Sequence, residues 1–473
     1  MNTSLTTTAP PCPRAPRPGI AAFILPYLVF TAVLTVAWWH GADADFLDWY
    51  ATVVWSLPVL TSITGIRGLR TMRRVLGTAH SPAHSVPVEE LLVIVIPTIG
   101  RHDVVPALER VVASCRTHLP ARFTRSRVDI VIEEDCPARH RILAIADRHA
   151  AVRVLGIPRD YRTPLGTRFK ARANHFAHLT RLADGEARDD VWILHMDDDT
   201  AVGADTADDL ARFVHTQRAA GPDGLHLAQG VLAYPRECAG SRWVWLADAV
   251  RPGCDISLFA AGTGRGSPRG GLHGELLLIR ASAEAAIGWD FGPDVTVEDA
   301  QFALRFCARF PGRSGWFAGR SYGASPATLG DFFRQRQRWV AGLLRLATTR
   351  SVPLRHRLLL GHNLAVWLCG PVQHPLTILL LALAVGDLGV APASAAAIPL
   401  WALNTTFCYW LYWEGYRINV TSSLDAGTDR LERVRLVVLM PLFALWESIG
   451  IVLGVARFLR RGDTGFTVIP KPL

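Results

Sequence analysis

The chain is 473 residues long, half of them hydrophobic, with 50 basic against 41 acidic side chains and a formal net charge of +9. Such a length holds two or three domain-sized units, and a basic balance with no aromatic-basic module counts against nucleic acid and towards anionic lipid or phosphate-bearing substrates. The eight cysteines show no C-x-x-C and no histidine at zinc spacing, so they read as reduced structural thiols.

Residues 1–19 are rich in Thr, Pro and Arg and read as a disordered tail. Residues 20–39 are an apolar run long enough to cross a bilayer, closed by Trp38-Trp39 at the interface. A signal peptide is the alternative, since Ala42-Asp43-Ala44 resembles a cleavage site. The run is too long for that, and a second span over residues 50–66 follows closely. Asp43, Asp45 and Asp48 lie between the two spans, and Arg67, Arg70, Arg73 and Arg74 follow the second. Basic residues mark the cytoplasmic side. Residues 20–66 therefore predict a two-helix transmembrane hairpin, and residues 67–325 a cytosolic domain.

That domain alternates the two periodicities. Strands are predicted over 91–96, 128–132, 152–157 and from Val191, with helices over 106–117 and 170–182. The alternation predicts a mostly parallel, doubly wound sheet with its crevice over the carboxyl ends of the strands. Two acidic clusters fall there, Glu133-Glu134-Asp135 and Asp197-Asp198-Asp199. Asp197 and Asp199 share one side of an extended chain, so their oxygens can converge on a hard cation that keeps positions open for a diphosphate. A solvated acidic loop is the plain alternative. The aspartyl phosphatase signature D-x-D-x-T fails, because Ala201 stands where threonine is required. The glycine-rich stretch 262–271 fails as a dinucleotide fingerprint, with Ser267 in place of the third glycine, and reads as a mobile loop beside the crevice.

Residues 300–310 predict an amphipathic helix opened by Glu298-Asp299, whose plain reading is a complement to the helix dipole. Residues 329–345 predict another, within an interfacial segment 326–357, on which Gln335, Arg338 and Trp339 share a face. Apolar runs over 358–385 (broken at Pro371 and His374-Pro375), 395–413 and 436–459 predict transmembrane helices in a C-terminal region 358–473. Arginines flank the last run on both sides, so charge does not place the C-terminus. Asn404 and Asn419 match glycosylation sequons at chance frequency.

Taken in order, a strand-end acid, a strand-end D-x-D, a helix-opening E-D and a Q-x-x-R-W helix before apolar spans resemble glycosyltransferase family 2. Its membrane-integrated members include cellulose, chitin and hyaluronan synthases. Several stretches look like the egghead-type β-1,4-mannosyltransferases: residues 166–173 with their lysine, 192–200, Gln229-Gly230-Val231, 325–333 leading into 335–339, and 466–471. The family's T-E-D reads Val297-Glu298-Asp299 here, which keeps the base, while the loop 97–101 matches loosely and the metal motif is all aspartate.

The resemblance implies a GT-A-like, Rossmann-like α/β domain on the cytosolic side, flanked by transmembrane α-helices in the plasma (inner) membrane. It implies Asp299 as general base, with Asp197 and Asp199 holding Mg²⁺ or Mn²⁺. Thr98, Arg101, Glu134, Asp135, Lys170, Asp197, Asp198 and Arg338 would contact the nucleotide-sugar donor, and Glu298, His273, Gln335 and Trp339 the acceptor. The reaction implied is inverting β-transfer of a hexose, mannose from GDP-mannose, to a lipid-linked or oligosaccharide acceptor. Two other readings stay open: a processive β-polysaccharide synthase using UDP-glucose or GDP-mannose, and a membrane transporter with a nucleotide-binding regulatory domain.

Overall fold

The computed structural model describes residues 21–40, 52–53, 55–78, 87–385, 398–427 and 429–461. The expected N-terminal tail, the acidic link between the first two apolar runs and the stretch 466–471 lie outside the described residues.

The first half of the domain is built as expected. β1 (Val88–Pro97), β2 (Phe123–Glu133), β3 (Val152–Ile157) and β4 (Val191–His195) pair in parallel in the order β3-β2-β1-β4. Side chains alternate across a strand, so β1 feeds two cores at once. Leu92, Ile94 and Ile96 pack with Leu108 and Val112, while Leu91, Val93 and Val95 pack with Ala177 and Ala281. Each such aliphatic side chain, fully buried, contributes about 1.5–3 kcal/mol. The helices that cover β1 are α1 (Val105–His118) on one face and α2 (Phe169–Ala183) on the other.

The second half is less parallel than the mostly parallel sheet expected. β5 (Ala201–Val202), β6 (Leu227–Ala233), β7 (Leu277–Arg280) and β8 (Ser314–Tyr322) complete the order β3-β2-β1-β4-β7-β6-β8-β5. β6 and β8 are parallel, but β7 is antiparallel to both β4 and β6, and β5 to β8. The cause is where β7 starts. Leu277 pairs with His195, so the chain enters β7 at the crevice and must run away from it. That reversal sets Gly274 and Glu275 beside the residues that leave β4. The glycine-rich stretch also differs from expectation: residues 260–265 are short helical turns, and Gly262 and Gly271 line the crevice.

The N-terminal apolar runs form α-helix over Ala21–His40 and, after a turn at Leu57-Pro58, over Val59–Thr78. The second run is thus not one helix over 50–66. The later helix carries on through Arg67, Arg70, Arg73 and Arg74 and buries Leu69, Met72 and Leu76 against Trp316, Phe407 and Trp410. The chain then continues through α3 (Glu298–Arg309), α4 (Leu329–Thr348), α5 (Leu354–Val385), α6 (Ile398–Thr421) and α7 (Arg430–Arg461). The expected breaks at Pro371 and His374-Pro375 do not interrupt α5. Among the described residues, α7 is the one helix long and apolar enough to cross a membrane. Asn404 and Asn419 are buried, bonded to Ser62 at 2.8 Å and to the Tyr234 amide at 2.8 Å, so neither sequon is open to a glycan. The cysteines among the described residues are free thiols.

Candidate active site

A cavity of about 1420 Å³ opens over the carboxyl ends of β1 and β4 and reaches between the C-terminal helices. It is lined by every residue expected at the site except Glu134 and Asp135. The aspartate pair, the E-D at the start of α3 and the 335–339 segment therefore share one space.

Lys170 owes its place to a tight loop. Asp290 accepts bonds from the Thr163 hydroxyl at 2.8 Å, the Leu165 amide at 2.8 Å and the Thr167 hydroxyl at 2.6 Å. Burial alone would raise the Asp290 carboxyl, but these bonds hold it below the usual carboxylate range. The loop enters α2 through Phe169 at φ 56°, left-handed backbone that costs about 1–2 kcal/mol outside glycine. Lys170 then reaches the Asp197 carboxylate, the Gly274 carbonyl at 3.0 Å and the Glu298 carboxylate at 3.8 Å. Burial would lower its pKa; Asp197 and Glu298 outweigh it and hold the ammonium above the ordinary lysine value.

The three aspartates after β4 have different neighbours. Thr98 donates its hydroxyl to Asp198 at 2.6 Å, tying the β1 loop to the β4 loop. Asp199 is held through its carbonyl, which accepts from Arg110 at 2.9 Å. The adjacent Thr200 donates to Glu275 at 2.7 Å. Among the described residues no group of three or more His, Cys, Asp or Glu side chains forms a metal cluster. The Asp197 and Asp199 oxygens are hard donors of the kind Mg²⁺ and Mn²⁺ take, and a two-carboxylate set fits such an ion only where a phosphate supplies further ligands.

Opposite them, Val297-Glu298-Asp299 open α3, and Asp299 accepts from the Ala300 amide at 2.7 Å. Burial pushes both carboxyls above the ordinary range, and Glu298 is raised further by Asp299. α4 begins where Thr328 accepts from the Asp331 amide at 3.1 Å, an N-cap that fixes the phase of the helix. Gln335, Arg338 and Trp339 all reach the cavity. Burial lowers the Arg338 pKa against the opposing pull of Glu298, Asp197 and Asp299. The Trp339 ring lies 4.6 Å from the Arg251 guanidinium and 4.9 Å from that of Arg336. His273 bonds through Nε2 to Asp255, and its ring stands 4.4 Å from that of Phe259.

Of the first acidic cluster, a different residue from those expected lines the cavity. Glu133, the last residue of β2, lines the cavity and pairs with Arg172. Glu134 and Asp135 turn outward, and Asp135 pairs with Arg159 at 3.0 Å. Arg101 lines the cavity paired with Asp103. Sequence reading missed Arg251, Glu275 and Glu447, which also line it. None sits in a motif. Missed too is the buried Arg336 between Asp248 at 2.6 Å and Glu447 at 2.8 Å, although the Q-x-x-R-W spacing had already marked its helix.

Residues 192–414 match the family described as Glycosyl transferase family group 2, a stretch that holds β4 to β8 of the mixed sheet apart from the first residue of β4. The relatives narrow the likeness. The chain is similar to Beta-1,4-mannosyltransferase egh of Drosophila melanogaster, 30% identical over 239 residues, 48% of either chain. Beta-1,4-mannosyltransferase bre-3 of Caenorhabditis elegans is 25% identical over 229 residues, 47% of either chain. The chain spans about half the length of the curated relatives it matches. A solved structure, the mannosyltransferase PcManGT from Pyrobaculum calidifontis in complex with GDP-Man and Mn²⁺, aligns over 88% of this chain and 100% of its own, with TM-score 0.46 and 14% identity.

Proposed function

We propose that this protein is a membrane-bound, inverting β-glycosyltransferase that moves mannose from GDP-mannose to a lipid-linked or oligosaccharide acceptor. The observation that carries the reading is the meeting of Lys170, Asp197, Asp299 and Arg338 in one cavity. The acceptor oxygen attacks the anomeric carbon, the bond from that carbon to the diphosphate breaks, and the acceptor's proton passes to Asp299. A single displacement inverts the centre, so an α-linked donor gives a β-linkage. Lys170 and Arg338 would offset the negative charge that collects on the departing diphosphate, Arg338 with a fork of donors. Asp197 and Asp199 would hold Mg²⁺ or Mn²⁺, which supplies Lewis-acid charge neutralisation when bound.

Mannose is favoured by the similarity to the two β-1,4-mannosyltransferases. An acceptor with an apolar tail is favoured by Val366, Trp367, Phe407 and Leu411, which line the same cavity as Trp339. Membrane placement is supported by the length of α7 and by exposed Leu431, Val434, Val437 and Val438 along it. The sheet domain then faces the cytosol, as the arginines after residue 66 imply.

Asp299→Asn tests the reading. A positioned general base is worth about 10²–10⁴ in rate, so transfer should fall by that factor while the protein still binds donor nucleotide. Undiminished transfer by this variant would sink the assignment.

A further inference from the structure

We infer that Gln229 is a positioning residue that holds the segment 273–276 against the donor end of the cavity, an inference that rests on the function proposed above. Gln229 is fully buried in β6 and is not itself part of the cavity lining. Its amide makes three bonds, all to that one segment. Oε1 accepts from the His273 amide at 3.0 Å, and Nε2 donates to the Glu275 carbonyl at 2.8 Å and the Leu276 carbonyl at 3.2 Å. An amide carries donors on one side and an acceptor on the other, so no other side chain of this size satisfies the set.

The segment so held touches the donor end of the site at several points. The Gly274 carbonyl receives Lys170 at 3.0 Å. The Glu275 carboxylate receives Thr200 at 2.7 Å and faces Arg251 at 3.7 Å, which in turn covers Trp339. The segment is also one the backbone would not adopt unaided: Leu276 is held at φ 52° with its side chain fully buried. Gly230 makes room for it, since a Cβ there would lie 2.2 Å from Leu276 Cδ2, and the Gly230 amide adds a bond to the Leu276 carbonyl at 3.1 Å. The Gln229-Gly230 pair thus explains a sequence match that carries no chemistry of its own: the glutamine staples the segment and the glycine admits it.

The test uses the full chain and reads nucleoside diphosphate release. Gln229→Met keeps the volume and loses all three bonds, and its kcat should fall at least tenfold. Gln229→Glu keeps the acceptor for His273 but can donate to a carbonyl only when protonated. Its activity relative to the unmodified enzyme should therefore rise as pH falls from 8 to 6, a dependence that a loss of packing alone does not give. An unchanged kcat in Gln229→Met, or a ratio for Gln229→Glu that is flat with pH, overturns the inference. Should neither variant fold, amide hydrogen exchange of the unmodified protein decides: slow exchange at His273 without any nucleotide supports the staple, and rapid exchange refutes it. Failure of the unmodified protein to turn over any nucleotide-sugar would instead strike the proposed function, which the exchange measurement leaves untouched.

Discussion

At the scale of the residue, the site places two carboxyls, a lysine and an arginine within one another's fields. Burial raises Glu298 and Asp299, while Lys170 opposes the rise. Two carboxyls so close titrate as a pair, and the apparent values belong to both. Because their folded-state values lie above the ordinary carboxylate value of about 4, they contribute most to stability below that pH and lose the contribution as pH rises through the raised value. Activity runs the other way, since a base must be ionised. The expected pH profile of kcat/KM therefore has an acid limb clearly above pH ~4, displaced upward by burial. An acid limb at the ordinary carboxylate value, or none, would show that Asp299 is not the group being read.

At the scale of the element, the helices sit closer than side chains permit, and glycine is the reason. A Cβ on Gly415 of α6 would lie 1.6 Å from the Ala249 carbonyl oxygen, and one on Gly253 would lie 2.0 Å from that of Leu411. Backbone thus meets backbone where α6 crosses the turns that carry Arg251. Gly415→Ala must push these apart, with overpacking costs of about 1–3 kcal/mol. The expected result is a lower thermal unfolding midpoint together with reduced activity, because Arg251 moves with its helix; an unchanged midpoint would mean that the crossing is loose. The same elements show where sequence reading succeeds. β1 to β4 and α2 were legible because apolar runs and helical spacing are local. β7 was not, since its direction follows from where the chain re-enters the crevice. Which of Glu133, Glu134 and Asp135 faces the cavity depends on a single residue of strand register, and that register is set by the partner strands. Arg336 was invisible as a hub because its partner Glu447 is 111 residues away.

At the scale of the whole molecule, the mixed sheet and a set of apolar helices line one cavity. Lys170, Asp197 and Asp299 line it together with the apolar Trp367, Phe407 and Leu411. Such a mixed lining suits the proposed reaction, which joins a charged donor to an acceptor anchored in lipid. The motifs made the polar lining legible; the apolar lining came from helices that sequence alone marked only as spans. The proposed function is transfer from a nucleotide-sugar by a membrane-embedded enzyme. It is tested most directly by a donor panel on carbonate-washed membranes and on protein purified from them, with Mg²⁺ or Mn²⁺ present and released nucleoside diphosphate measured. The protein is expected to stay with the washed membranes and to release GDP from GDP-mannose. Release of UDP from UDP-glucose with none from GDP-mannose would contradict the mannosyl assignment, and no release from any donor would contradict the account as a whole.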